Sequence, residues 1–429
     1  MSIRFFSVVL FFLISAVLGP AVSYSKLYLF HIALVSLIFS YFYLYGPHLP
    51  VIKTATKSHV FFIVMFLWYL VTVIWAPNKI YAFQYLFYIL CGMAIVYSMV
   101  YFVDDCARQR LIFKALGFVF ILEIMFSLLE AFTTFRLPIS PFSTYASSFG
   151  RSTHLDEYDP QIINVLLSMP TGFQWNPNNL AVTMTMILPY FLFHKNFLKS
   201  ILGTISIFAI IITTSSRGAL IGGIIAVCIW GIAFSWKRFL VIFLSLIIVC
   251  CVYVTGPYML SHAFESEDKR VTAILGTYDA LKLYLSDDPS ITGSIGARKE
   301  LIRNGLDALM NTGGWGVGGG CSKSVQEEMG TVDGMTSMHN FFVEVFVEAG
   351  IVFGILFIIW YISIMIHLYL ISMRTTISEI KYYASATSVS LLSFSVASIS
   401  CSSVIYLLPM WLMFGFACVT INNYYLKKF

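Results

Sequence analysis

Three groups of residues in this apolar chain carry side chains suited to chemistry. One is Thr213-Thr214-Ser215-Ser216-Arg217-Gly218, the second is Arg298 with Arg303, and the third is His339-Asn340 followed by Glu344 and Glu348. A guanidinium is a planar fork of five donors and suits phosphate. Hydroxyls beside Arg217 and the free N–H groups of a helix start would add donors to an anion site. A histidine titrates near neutrality and can take a proton from an attacking hydroxyl. Arginines can stabilise the charge that develops on a departing phosphate. Plainer readings stand beside these. Arg217 can snorkel to an interface, and His339 can be a cap or a satisfied interface residue.

A fourth stretch, Pro170-Thr171-Gly172-Phe173-Gln174-Trp175-Asn176-Pro177-Asn178-Asn179, reads in two ways. It is either a turn with Asn178 or Asn179 capping the next helix, or a sugar site in which the amides pair with hydroxyls and Trp175 stacks on a ring face. Gly313-Gly314-Trp315-Gly316-Val317-Gly318-Gly319-Gly320 is no dinucleotide loop, because no strand precedes it and no helix with a later acidic residue follows. It reads as turns, or as flexible glycines beside a bound polymer.

The elements that must position these residues follow from composition. The 429 residues are 59% hydrophobic and 11% charged, and the mean hydropathy is +0.84. Soluble domains are roughly 45–50% apolar and about 25% charged, so this is an all-α polytopic membrane protein. Spans of about 20 apolar residues fall near 5–20, 27–45, 59–76, 81–103, 111–132, 179–194, 198–214, 218–235, 239–256, 340–371, 383–401 and 404–421. The first five show little polarity, and their end aromatics, such as Tyr41, Tyr43, Tyr45 and Trp75, read as interfacial belts.

About twelve transmembrane helices result, with segments 1–255 (helices one to nine, with an outer loop at 133–178), 256–338 (a large outer loop) and 339–429 (helices ten to twelve). Lys and Arg concentrate in alternate loops, which places both termini in the cytoplasm. The large loop opens on a solvated charged face holding Glu265, Glu267, Asp268, Lys269, Arg270, Asp287 and Asp288. From Ser294 onward, apolar residues recur at three and four, so an amphipathic helix carries Arg298 and Arg303 on different sides. The net charge of +5 fits the positive-inside bias, and no clustered basic face calls for nucleic acid. The eight Cys form no CxxC or His/Cys cluster, and no metal or disulfide framework is implied.

No phosphate loop, nucleophile elbow or cofactor motif is present. An enzyme facing outward has no nucleotide sugar to draw on, so the energy must arrive with the substrate. A lipid-pyrophosphate-linked sugar meets that need. At this point the chain resembles the O-antigen polymerase and O-antigen ligase superfamily. The resemblance rests on Pro170-Thr171-Gly172-Phe173…Asn176-Pro177-Asn178, Ser215-Ser216-Arg217-Gly218, Arg298…Gly316-Val317-Gly318 and His339-Asn340…Glu344…Glu348-Ala349-Gly350.

The resemblance implies glycosyl transfer without a metal or other cofactor, at the periplasmic face of the bacterial inner membrane. The partners it implies are an undecaprenyl-pyrophosphate-linked oligosaccharide, membrane lipid and a chain-length regulator protein. By motif, Arg217 and Arg298 bind the pyrophosphate and His339 activates the acceptor, with Arg303 as the substitute for Arg298. Arg151, Trp175, Asn176, Asn178, Asn340 and Glu344 are substrate contacts, and Glu344 could orient His339. Ligases of this family carry a second His where this chain has Ser337-Met338. That difference and the Thr-Gly-Phe…Asn-Pro-Asn motif favour a polymerase. A ligase acting on lipid A–core is the alternative. A lipid-linked oligosaccharide transporter is the reading of another class, and it would need broken helices and midplane polar pairs.

Overall fold

A computed structural model describes residues 3–47, 54–151, 166–167, 169–234, 236–248, 289–330, 336–401 and 403–426. The charged face from Glu265 to Asp288, and His154, Asp156, Glu157 and Asp159, lie outside the described residues. So does the end of the 239–256 span.

The apolar runs form helices. In chain order they are α1 (Ile3–Leu18), α2 (Leu29–Tyr45), α3 (Ser58–Thr72), α4 (Lys79–Phe102), α5 (Cys106–Phe132), α6 (Pro177–Leu192), α7 (Phe197–Thr213) and α8 (Arg217–Phe234). After them come α9 (Pro289–Asn311), α10 (Ser322–Glu328), α11 (Phe341–Arg374), α12 (Ser378–Ala397) and α13 (Leu408–Tyr425). Among the described residues, 4 stretches are long and apolar enough to cross a membrane: Arg4–Ala21, Lys79–Phe102, Cys106–Phe132 and Phe341–Arg374. Apolar helices of 10–17 residues stand beside them, α2, α3 and α7 among others. Lipid leaves unpaired backbone groups unsatisfied, which is why the apolar runs are helical. This is an all-α membrane protein, apart from one two-stranded antiparallel hairpin of Ser23–Tyr24 and Leu27–Tyr28.

The chain divides into two compact units that cut across the segments 1–255, 256–338 and 339–429. The first comprises Met1–Pro47, Leu111–Ser286 and Leu392–Ala397; the second comprises His48–Arg110, Asp287–Leu391 and Ser398–Phe429.

In the first unit, α1 lies on α2 through Phe5 against Tyr45 and Phe12 against Phe30. Helix α6 is buried along nearly its whole length. Its Thr183 and Thr185 hydroxyls donate to carbonyls one turn back, which lets polar side chains sit in the core.

In the second unit, α3 meets α11 where Phe61 stacks on Trp360 with centroids 4.3 Å apart. The organising feature is a break in α11. Gly350 has φ 86° and ψ 169°, a conformation open essentially to glycine alone, so the helix stops and restarts there. A break strands carbonyls that a continuous helix would use. Here each finds a donor from elsewhere. Val317 N–H donates to Val347 O at 2.8 Å and Gly318 N–H to Glu348 O at 3.0 Å. The Trp68 indole donates to Ala349 O at 2.7 Å. In return, Ile351 N–H donates to Gly314 O at 2.9 Å, and the Trp75 indole donates to Gly316 O at 3.0 Å.

The glycine-rich loop is therefore a structural insert in a membrane helix. A Cβ on Gly316 would lie 2.5 Å from Gly350 N, so the close approach requires glycine. Ala308, Val317, Cys321, Val325, Met338 and Val347 close over the insert as an apolar core. That core fixes α9 and α10 against the N-terminal end of α11.

Candidate functional site

The break places the second-unit site. Helix α11 begins at Phe341, with Asn340 as its N-cap accepting from Val343 N–H at 3.2 Å. The residue before the cap is His339, with φ 48°, a left-handed conformation costly for a side-chain-bearing residue. His339 is 8% exposed. A Ser400 backbone hydrogen bond holds its ring, and the Arg298 charge falls on it. Burial first, and the Arg298 guanidinium second, push its pKa below the usual histidine range, while the Ser400 bond acts the other way. The ring is thus neutral at physiological pH. Its Nδ1 is buried with no hydrogen-bond partner, and a bare imidazole nitrogen is a proton acceptor.

The Arg298 charge falls on His339, whereas Arg303 is 82% exposed, with its guanidinium 3.9 Å from Asp307. Glu344 does not orient His339: its Oε1 accepts from Ser403 Oγ at 2.7 Å and Tyr85 OH at 3.3 Å. The left-handed turn at His339 leaves the ring to Ser400 instead. Cys401 lies within the electrostatic reach of both Arg298 and Glu344, so these groups form one neighbourhood.

One turn further along α11, Glu348 accepts from Ser322 Oγ at 2.7 Å. The Gly320 and Ser322 backbones also bond its carboxylate, which ties α10 to α11. Tyr85 lies beside both acids and donates its hydroxyl to Glu344 Oε1 at 3.3 Å. Glu344 and Glu348 are 2% and 1% exposed, yet Oε2 of each has no partner. Both residues border a cavity of about 410 Å³ that Tyr81, Tyr88, Met338 and Tyr406 help to line. Met338 also fills the space over Gly305, where a Cβ would lie 2.4 Å from the methionine methyl.

The first unit gathers the other predicted residues. Arg151 lies over the Trp175 ring at 4.4 Å and the Tyr28 ring at 5.5 Å, and its Nη2 donates to Ser23 Oγ at 2.8 Å. The cap of α6 is Asn176, which accepts from Asn178 N–H at 2.8 Å; it is neither Asn178 nor Asn179. Pro177 explains the shift: it lacks an N–H and suits the first helical position.

Arg217 opens α8, as a helix-start anion site requires. Two of its neighbouring hydroxyls are committed elsewhere, Thr213 to Ala209 O and Ile210 O, and Thr214 to Ile211 O. Ser216 Oγ is buried and has no partner. The residue before Ser216 is Ser215, with φ 55°. Trp175, Ser215 and His339 all take left-handed backbone two residues before a helix begins.

Sequence reasoning passed over two acids in α5. Glu123 and Glu130 are fully buried, so the early spans are not uniformly apolar. Glu130 Oε2 accepts from Thr171 N–H and Gly172 N–H, both at 2.8 Å. Glu123 Oε1 accepts from Gln174 Nε2 at 2.8 Å. These acids anchor the 170–179 loop. Their spacing of seven, on one face of an apolar helix, was the available signal. Among the described residues, no three His, Cys, Asp or Glu side chains converge as a metal site requires.

Residues 202–358 match a family model described as O-antigen ligase. No curated protein matches the chain. The matched range contains Arg217, Arg298, Arg303, His339, Asn340, Glu344 and Glu348, but not Arg151 or the 170–179 loop. The match supports the O-antigen ligase/polymerase superfamily, and with it an enzyme of cell-surface polysaccharide synthesis acting on lipid-linked glycan. It does not divide ligase from polymerase.

Proposed function

We propose that this chain is a polysaccharide polymerase that transfers a growing glycan from undecaprenyl pyrophosphate to a lipid-linked repeat unit. The reaction runs at the periplasmic face of the bacterial inner membrane, in a twelve-span protein with both termini cytoplasmic. The observation that carries this reading is His339, a buried imidazole beside the Arg298 charge whose Nδ1 has no hydrogen-bond partner.

His339 takes the proton of an acceptor hydroxyl. The hydroxyl oxygen bonds to the anomeric carbon of the donor as the bond from that carbon to the pyrophosphate oxygen breaks. The lipid pyrophosphate leaves with the electron pair. Arg298 stabilises the charge gathering on it, as preorganised donors do in a water-poor site. By the resemblance, Arg217 also serves the pyrophosphate, with Ser216 beside it, and no metal takes part. Holding donor and acceptor together supplies much of the remaining acceleration. A chain-length regulator is the protein partner this reading implies.

Met338 favours polymerase over ligase. The position before His339, where the family's ligases carry a second His, is filled here by a 1% exposed methionine in the apolar core. Ligase activity is the second reading, favoured by the description of the matching family model.

Incubating the purified protein with a lipid-linked repeat unit separates the readings. A ladder of lipid-linked products is expected. Transfer seen only on adding lipid A–core means ligase, and the absence of any covalent product means transport. A well-expressed His339→Ala protein that still builds full-length polymer in cells would remove His339 from the chemistry. Normal chain lengths from Arg217→Lys would remove the diphosphate role of Arg217, since a point charge cannot replace the fork.

A further inference from the structure

We infer that the cavity bounded by Glu344, Glu348 and the tyrosines of α4 is a binding site for the neutral, hydroxyl-rich end of the acceptor glycan. Glu344 and Glu348 accept hydrogen bonds from its hydroxyls, and the tyrosine rings bound its faces. This inference rests on the transferase reading and adds to it the place where the incoming sugar is held.

Buried polar atoms are nearly always hydrogen-bonded, and one left bare is expensive. Glu344 Oε2 and Glu348 Oε2 are both bare, and the residues that carry them are 2% and 1% exposed. The donors already present, Tyr85, Ser403 and Ser322, satisfy only part of each carboxyl. What remains is a pair of unsatisfied carboxyl oxygens one helical turn apart, on residues that line a cavity. A ligand that fits must bring donors, and vicinal sugar hydroxyls bring several at fixed spacing.

The walls agree with this chemistry. Tyr81, Tyr88 and Tyr406 present rings to the same cavity, and Tyr88 meets Tyr406 edge-on at 5.9 Å. Aromatic faces pack against the C–H faces of sugar rings. The volume of about 410 Å³ falls within the range of small-molecule sites, about 300–1,000 Å³.

The other part of the substrate has a better place elsewhere. Lys323, which also lines the cavity, is 3.7 Å from Glu327, whereas Arg298 lies on the His339 side. The site thus divides its labour, with phosphate toward the arginine and neutral glycan toward the acids. Adjacency is fixed by the chain: Met338 lines the cavity and His339 follows it. Ser403 holds Glu344, three residues from the Ser400 that holds the His339 ring.

The test uses the full-length protein in detergent. The probe is the phosphate-free oligosaccharide released by mild acid from the host cell's own lipid-linked repeat units. Wild type is expected to bind it, and Glu344→Gln to bind it at least tenfold more weakly. Tyr406→Ala should also lose at least threefold, and it guards against misfolding of the Glu344 variant because Tyr406 is 38% exposed. Inorganic pyrophosphate should not compete.

Glycan binding that survives both substitutions overturns the inference, as does displacement of the glycan by inorganic pyrophosphate. If the purified wild type yields no covalent product from a lipid-linked repeat unit while glycan binding still depends on Glu344, the transferase reading fails and the glycan site stands. If His339→Ala is inactive and Glu344→Gln binds normally, the glycan site fails and the transferase reading stands.

Discussion

Replacing Gly350 by alanine tests the broken helix most directly. The residue adopts φ 86° and ψ 169°, and a non-glycine residue held in such a region costs of order 1–3 kcal/mol. The new Cβ would also lie 2.5 Å from Trp315 O and 2.7 Å from Gly314 O. Both are backbone atoms, locked by the bonds that satisfy the break, so neither can move aside as a flexible side chain would. Overpacking of this kind adds about 1–3 kcal/mol. The sum of roughly 2–6 kcal/mol is a large part of the about 5–15 kcal/mol that holds a typical fold.

The control is Gly117→Ala in α5, where an added Cβ meets nothing within 4 Å. The assay is thermal unfolding in detergent, followed by tryptophan fluorescence. Trp68 and Trp75 donate to the two strands of the break, so they report on it from within. Gly350→Ala should melt well below wild type with a red-shifted emission, and Gly117→Ala should not. Equal melting midpoints for the two variants would refute the argument that this backbone admits only glycine.

Three further outcomes follow from the same geometry. The acid limb of the pH–rate profile should lie below about 6.5, because a depressed His339 pKa keeps the base neutral as pH falls and activity is lost only on passing through that pKa. Arg298→Gln removes a cation that opposes protonation, so whatever activity remains should have its acid limb moved to higher pH; a limb moved lower would contradict the assignment. Glu130→Ala strands the Thr171 and Gly172 N–H groups, at about 1–3 kcal/mol each, and should lower the melting temperature measurably. Arg303→Ala should leave both polymer length and melting unchanged, since its ion pair with Asp307 is solvent-exposed.

The helices were legible because apolar length alone demands them. The Arg298 helix was legible from its three-and-four periodicity. Pairwise contacts were not legible. No spacing rule indicates that Ser400, sixty positions downstream, holds the His339 ring, or that Tyr85 lies beside Glu344 and Glu348. The Gly350 break was hidden because an isolated glycine in an apolar run reads as tolerated. Its purpose appears only once the loop from 313 to 320 is set against it. Glu123 and Glu130 were visible as acids in an apolar span, but their partners lie 41 to 51 residues away across the next loop.

The break in α11 has a consequence for biosynthesis. Chains are made from the N-terminus, and upstream elements are available first. Every donor to the stranded carbonyls is upstream of Gly350: Trp68, Val317 and Gly318 have all left the ribosome before it emerges. Val347, Glu348 and Ala349 therefore enter the membrane with their partners already synthesised, and the helix start bearing His339 matures only when they meet. The N-terminal end of α11 is thus assembled as a closing step, by docking an earlier loop into a later helix. The order in which the segments are made becomes part of how the turn at His339 is set.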